Sequence, residues 1–392
     1  MPVPYDAIVL GLGAMGAAAT YQLARRGARV LGIDQYAPPH DQGSTHGDTR
    51  ITRIACVEGP EYSAFAARSH EIWRELEAEL GVELLTQNGL LVIHGPGKRP
   101  SNHGVPKFLD ATVSAARQAG IDHRILDTAE LRRRFPAFNF TEGDEAYHDA
   151  VSGFVRPEAC IGAQLRRAVE LGAHLRLNER VTGFRQNGDE VTVTTGKGSY
   201  VAKELIVAAG PWLPALLTPA LAATFKVTRQ VLYWFEARDP EAHAQFSADR
   251  FPVYIWQIPA PQVVYGFPAT GTLEEGVKLA TEQYDVSTTP GEVARDVGPY
   301  EIREMYETYV GPFFPGLSPR CVRAKVCLYT WVDNARFIID RHPEASRVIV
   351  ASPCSGHGFK HSAGIGELLA QMALGETHRD ISRFSFGYKA PR

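Results

Sequence analysis

Three glycines and one aspartate near the start of the chain have the types and spacing to hold a dinucleotide. Gly11, Gly13 and Gly16 form Gly-x-Gly-x-x-Gly, directly after the apolar run Tyr5–Leu10, and Asp34 closes a second apolar run after Gly27. In such a turn the first glycine permits a tight bend and the second lets the backbone approach a pyrophosphate. The third allows a helix to pack on the strand. The phosphates then face the unpaired N–H groups of a helix start. Asp34 would accept a hydrogen bond from an adenosine ribose and repel a 2′-phosphate, which disfavours NADP. The fingerprint does not separate NAD from FAD. The stretch from Gly43 to Arg53 adds two glycines, several hydroxyls and two arginines where an NAD-only domain would enter another helix. It suits a cofactor that extends past its pyrophosphate toward a flavin ring; a solvated surface loop is the alternative. Near the other end, Pro353-Cys-Ser-Gly-His-Gly-Phe-Lys360 sits between a strand and a helix. That helix start could face the same cofactor, or the chain simply returns there to complete a sheet.

Other chemistries find less support. The five cysteines (Cys56, Cys160, Cys321, Cys327, Cys354) are scattered and offer no zinc spacing, so no metal and no disulfide framework is expected. A net charge of −3 gives no general attraction to nucleic acid. No apolar run approaches the ~18 residues of a spanning helix. The start of the chain lacks a basic, secretory-type segment. A cytoplasmic protein without nucleic-acid or membrane partners is the expectation.

The elements that must position these residues form two patterns. With 392 residues, 44% of them hydrophobic, the chain is long enough for two domains. Strands are expected at 5–10, 29–33, 205–210, 337–340 and 348–352, with helices after Gly16 and from Ala363 to Leu374. Helices are also expected over 61–80, 106–120 and 128–134, and a strand pair across 191–201. Between Phe225 and Leu279 the pattern turns aromatic and β-branched (Val231–Phe235, Val253–Trp256, Val263–Tyr265), as for an antiparallel wall. The fold class expected is α/β: a Rossmann-like FAD-binding domain interleaved with an α+β substrate domain built on an antiparallel sheet. Residues 1–88, 147–218 and 323–392 are assigned to the first domain, and 89–146 and 219–322 to the second.

Several separated motifs, in order over nearly the whole chain, resemble the monomeric sarcosine oxidase and N-methyltryptophan oxidase family of flavoprotein amine oxidases. They are Gly11–Gly16, Gly47-Asp-Thr-Arg50, Tyr265-Gly-Phe-Pro268 with Lys278, Cys327-Leu-Tyr329, and Ser355-Gly-His-Gly-Phe-Lys360. The resemblance implies FAD, bound covalently through Cys327, whose thiolate is the nucleophile such a bond needs. It places Ser44, Thr49, Arg50, Val181, Gly210, Gly356, Gly358 and Lys360 at the cofactor, beside Gly11, Gly13, Gly16 and Asp34. It implies that Arg53 and Lys360 hold a substrate carboxylate and that Tyr265 and Tyr329 wall the substrate pocket. Lys278 would assist the reaction with O2, and His46 and Arg50 would lend positive charge to the flavin edge. The implied reaction is oxidation of the C–N bond of a secondary amino acid to an imine, with O2 reduced to H2O2, in a monomer.

One position departs from the pattern. Glu282 stands four residues after Lys278, where sarcosine-oxidising members carry a histidine, and this puts sarcosine itself in doubt as the substrate. Cys354 is a smaller change of the same kind. Competing readings are a flavin dehydrogenase with another electron acceptor, an NAD-dependent dehydrogenase that leaves Cys327 unused, and a non-catalytic sensor.

Overall fold

The computed structural model describes residues 4–97, 101–105 and 107–388. Its first turn follows from the glycine motif. Strand β1 (Tyr5–Leu10) passes through Gly11 into helix α1 (Ala14–Arg25), and strand β2 (Val30–Ile33) returns beside β1. Gly11 has φ +86, and a Cβ there would lie 2.5 Å from the carbonyl oxygen of Ala208. No other residue type fits. α1 is rich in alanine, which lets the late helix Ser362–Leu374 come close; a Cβ on Gly366 would sit 2.3 Å from that of Ala18.

Five parallel strands run in the order 174–176, β2, β1, 198–207 and 345–352. The long strand Gly198–Val207 is shared. Its first half pairs antiparallel with Glu190–Thr195, and its second half pairs parallel with Ala345–Ser352. The expected strand pair across 191–201 is therefore part of this sheet. Helix α2 (Pro60–Leu80) buries Phe65, Ile72, Trp73 and Leu76, the periodic positions of the sequence. Proline opens it, where the missing N–H costs nothing, and Gly81 closes it at φ +66. The helix expected over 106–120 spans Phe108–Gln118, and Pro106 lies outside the described residues.

A second, eight-stranded sheet supplies the wall, in the order 317–331, 226–237, 277–281, 264–266, 253–257, 90–94, 145–149 and 124–126. The Rossmann-like parallel sheet with a largely antiparallel partner is thus borne out, with one correction. Val253–Gln257 pairs parallel with Leu90–His94. These strands come from distant parts of the chain, so no hairpin turn constrains their direction. Unforeseen is a three-stranded sheet of Arg50–Thr52, Gly153–Val155 and Leu85–Thr86. A Cβ on Gly153 would come within 2.0 Å of the Thr86 oxygen, so this junction requires glycine. It fixes the segment that carries Arg50 and Arg53.

Candidate active site

A cleft of about 440 Å³ runs along the carboxyl ends of the parallel strands, the usual place for a ligand in such a sheet. Gly11, Gly13, Asp34, Ser44, Arg50, Val181, Gly210, Gly356 and Gly358 all line it. Gly16 does not; a Cβ there would strike the Gly11 oxygen at 1.7 Å, so its part is to seat helix on strand. At Gly13 a Cβ would meet nothing nearer than Thr45 Oγ1 at 3.8 Å, which leaves the approach to the backbone open. No side chain caps α1, so its first N–H groups point at this space. Asp34 has a second duty, since its carboxylate accepts from the amides of Leu12 (2.7 Å) and Tyr36 (2.8 Å) and so braces the turn. Each carboxylate oxygen keeps a further lone pair for a ribose hydroxyl. Two buried polar atoms in the loop after β2, Ser44 Oγ and His46 Nε2, have no hydrogen-bond partner among the described residues. An elongated dinucleotide with polar ring edges fits this donor set.

Behind the cleft wall lie Thr49, Lys278 and Cys327, tied to it by Ser44 and Arg50. The Cys327 thiol donates to the Ser44 oxygen at 3.3 Å, and Arg50 Nη2 lies 3.6 Å from its sulfur. Arg50 also donates to the oxygens of Thr49 and Ser44, each at 2.9 Å. Lys278 Nζ has three oxygen neighbours, Gly47 O (2.6 Å), Thr49 O (2.8 Å) and Thr49 Oγ1 (3.3 Å), and sits 4.5 Å from the centre of the Phe267 ring. Burial, reinforced by Arg50, pulls its pKa well below that of an ordinary lysine. The charge expected of His46 needs correction. Burial, then Arg50 and Lys278, push this imidazole down to about 3, so it is neutral and Arg50 carries the positive edge.

A smaller pocket of about 80 Å³ joins the cleft, and Arg50, Tyr329, Gly356 and Phe359 line both. Arg53, Tyr265, Glu282 and Lys360 meet there, brought from four separate stretches of chain. Tyr265 and Tyr329 hydroxyls lie 3.4 Å apart, and Ile255, Val263 and Phe267 make the apolar side. Lys360 stands in the short turn Phe359–His361 and donates to the His357 oxygen at 2.7 Å. Its pKa falls to about 8 through burial, opposed by Glu58 and assisted by Arg53.

Three polar residues of this pocket, Asn102, His103 and His357, and their neighbour Glu58 are new from the structure. Arg53, 2% exposed, is not a free cation but pairs with Glu58 at 3.3 Å. His103 Nδ1 lies 3.0 Å from the same Glu58 oxygen, and His357 Nδ1 lies 3.7 Å from it. Burial alone would raise Glu58, yet Arg53, His357 and Lys360 together hold it well below the usual carboxylate range. Glu58, His103 and His357 come within 4.8 Å of one another, a spacing that suits a metal, but here a guanidinium supplies the countercharge. Asn102 completes the wall. His103 and Asn102 belong to a Gly/Pro-rich stretch, and Glu58 precedes a helix. No local pattern announced Asn102, His103 or Glu58, whereas His357 stands within the Ser355–Lys360 motif.

Parallel sheet, glycine turn, long cleft and attached ionic pocket define a dinucleotide-cofactor protein with a small-molecule site at the reactive end. Residues 6–372 match the model of the FAD dependent oxidoreductase family. The chain is 38% identical over 394 residues to a monomeric sarcosine oxidase of Bacillus sp. (strain B-0618), covering 100% of this chain and 97% of that one. It is 32% identical over 385 residues to the N-methyl-L-tryptophan oxidase of Yersinia pestis (strain Pestoides F), covering 97% and 98%. Among solved structures, NikD, an unusual amino acid oxidase essential for nikkomycin biosynthesis, shares the fold at a TM-score of 0.83 and 24% identity, with 97% of each chain covered. The chain therefore belongs to the FAD-dependent oxidoreductases, within the branch of monomeric sarcosine oxidase and N-methyl-L-tryptophan oxidase. Among the described residues no helix is long and apolar enough to cross a membrane.

Proposed function

We propose that this protein is an FAD-dependent oxidase of a small secondary amino acid, covalently bonded to its cofactor through Cys327. The observation that carries the reading is the wall shared by the two cavities. A pocket with Arg53 and Lys360 opens on the cofactor cleft across Arg50, Tyr329 and Gly356. FAD, when bound, accepts the two electrons removed from the substrate's C–N unit and passes them to O2, giving H2O2.

The protein's own part is position and charge. Arg53 and Lys360 anchor the carboxylate and so fix which carbon faces the cofactor. Tyr265, Tyr329 and the apolar side exclude water. The cations disfavour the protonated amine, so a neutral nitrogen is selected without a dedicated base. The imine product then hydrolyses. Lys278 serves the O2 step, and the domain division 1–88, 147–218 and 323–392 against 89–146 and 219–322 remains part of the same reading. The family resemblance favours a monomer, and five free cysteines suit a cytoplasmic protein.

Acid precipitation of the purified yellow protein tests the attachment. Colour is expected in the pellet, and Cys327→Ser is expected to release it to the supernatant; release from the unaltered protein would disprove the bond. Anaerobic titration with N-methyl amino acids is expected to bleach the bound flavin, and no bleaching by any amine would sink the oxidase reading. A pH profile adds a third check. Lys360 loses its proton above about 8 in the free protein, so kcat/KM should bend downward there. Lys360→Arg, whose charge persists, should remove that bend; an unmoved bend would exclude Lys360 as the carboxylate cation.

A further inference from the structure

Glu282 follows directly on the strand Val277–Thr281, on the same face as Lys278, because strand side chains alternate. One of its oxygens is engaged. Oε2 accepts from the Tyr284 hydroxyl and lies 3.4 Å from His103 Nε2. Oε1 has no donor among the described residues. It lies 3.5 Å from where a Cβ on Gly356 would stand, and Gly356 lines both the cofactor cleft and the pocket. His103 Nδ1 in turn lies 3.0 Å from Glu58, so the Glu282 carboxylate is held through Oε2 within a chain that runs Tyr284, Glu282, His103, Glu58, Arg53.

The charge state follows from these partners. Burial would raise the Glu282 carboxyl, but His103, Tyr284 and Lys360 bring it below its ordinary value. His103 is the converse case, since burial would lower it and Glu282 and Glu58 raise it. The pocket therefore presents a carboxylate oxygen with an open lone pair at its junction with the cofactor cleft. An apolar group placed against that oxygen would strip it of water and offer nothing in return.

Resting on the oxidase reading above, we propose that Glu282 Oε1 selects substrates carrying a hydrogen-bond donor apart from the reacting amine. The donor is a hydroxyl, amide or ammonium on the nitrogen substituent or the side chain. The reacting amine is the wrong partner for this oxygen. A carboxylate beside it would stabilise the ammonium form, whose lone pair is engaged by a proton and unavailable for oxidation. Arg53 and Lys360 take the carboxylate end, and Glu282 takes a third point. His103 is a positioning residue, acting through Glu282.

The test compares isosteric pairs on the FAD-loaded protein: N-hydroxyethylglycine against N-propylglycine, and N-methylserine against N-methyl-α-aminobutyrate. A hydrogen bond to a charged acceptor predicts that the donor member of at least one pair has kcat/KM about ten- to a hundredfold above its isostere. In Glu282→Met, read on protein that keeps its flavin spectrum, that ratio should fall to near one. Ratios near one for both pairs in the unaltered protein would overturn the proposal while leaving the oxidase reading intact. So would a preference that survives in Glu282→Met. No turnover of any of the four, nor of sarcosine, with flavin bound would overturn it together with the reading it rests on.

Discussion

Lys278→Met is expected to slow reoxidation of the reduced cofactor by O2 about 10²–10³-fold, the usual consequence of removing one preorganised electrostatic group from a water-poor site. Lys278 is 3% exposed and its Nζ faces Gly47 O, Thr49 O and Thr49 Oγ1, so the side chain cannot swing away. The oxygens hold it, and the Trp234 and Phe267 rings, 5.5 and 4.5 Å away, cover it. Burial holds the Lys278 pKa low, but negative charge developing on oxygen beside this loop favours the ammonium form and would meet its donor already in place. Methionine matches the length of the stem without the charge. It also takes one of two donors from each of the Gly47 and Thr49 carbonyls, which keep the Thr49 amide and Arg50, so a stability loss of about 1 kcal/mol is expected alongside. Stopped-flow reoxidation and anaerobic reduction, measured separately on folded protein, give the answer. The O2 half should fall far more than the reductive half; equal losses in both would show that Lys278 only supports the loop.

Arg53→Met is expected to act twice. Its guanidinium is the main partner of a carboxylate buried with it, Glu58 being 7% exposed in its side chain. Removing one member of such a pair costs about 3 kcal/mol, because Glu58 loses its main countercharge and keeps only His103, His357 and Lys360. Loss of the substrate's charge-assisted bond should lower kcat/KM a further ~10–100-fold. The two effects separate in the double substitution Arg53→Met with Glu58→Met. Urea unfolding should show most of the stability restored, since no unpaired charge remains, while kcat/KM stays low. Recovery of kcat/KM in the double variant would mean that Arg53 serves the fold and not the substrate.

These two residues also show how far the linear chain can be read. The glycine turn was legible because its requirements are local. Gly11 must bend at positive φ and Gly16 must touch the strand, and both demands fall within one short segment. The helices Pro60–Leu80 and Ser362–Leu374 were legible for the same reason, since their apolar spacing records which face is buried. The site was only partly so. Lys278 with Glu282, and Cys327 with Tyr329, share strand faces in the structure, but no strand over either stretch is read from the sequence. A salt bridge was one reading of Arg53, but its partner Glu58, and the neutrality of His46, were not readable.

The sequence by itself determined a dinucleotide turn, two kinds of sheet and the stretches from which a flavin site would be drawn, because each is written in contacts between near neighbours. Only the tertiary structure decided the ionic order of the pocket. Glu58 to His103 spans 45 residues and Lys278 to Gly47 spans 231. Spacing along the chain carries no record of such distances. Charge makes the difference matter. A buried carboxylate or imidazole takes its protonation state from whichever groups the fold sets against it, and those partners arrive from the far ends of the molecule.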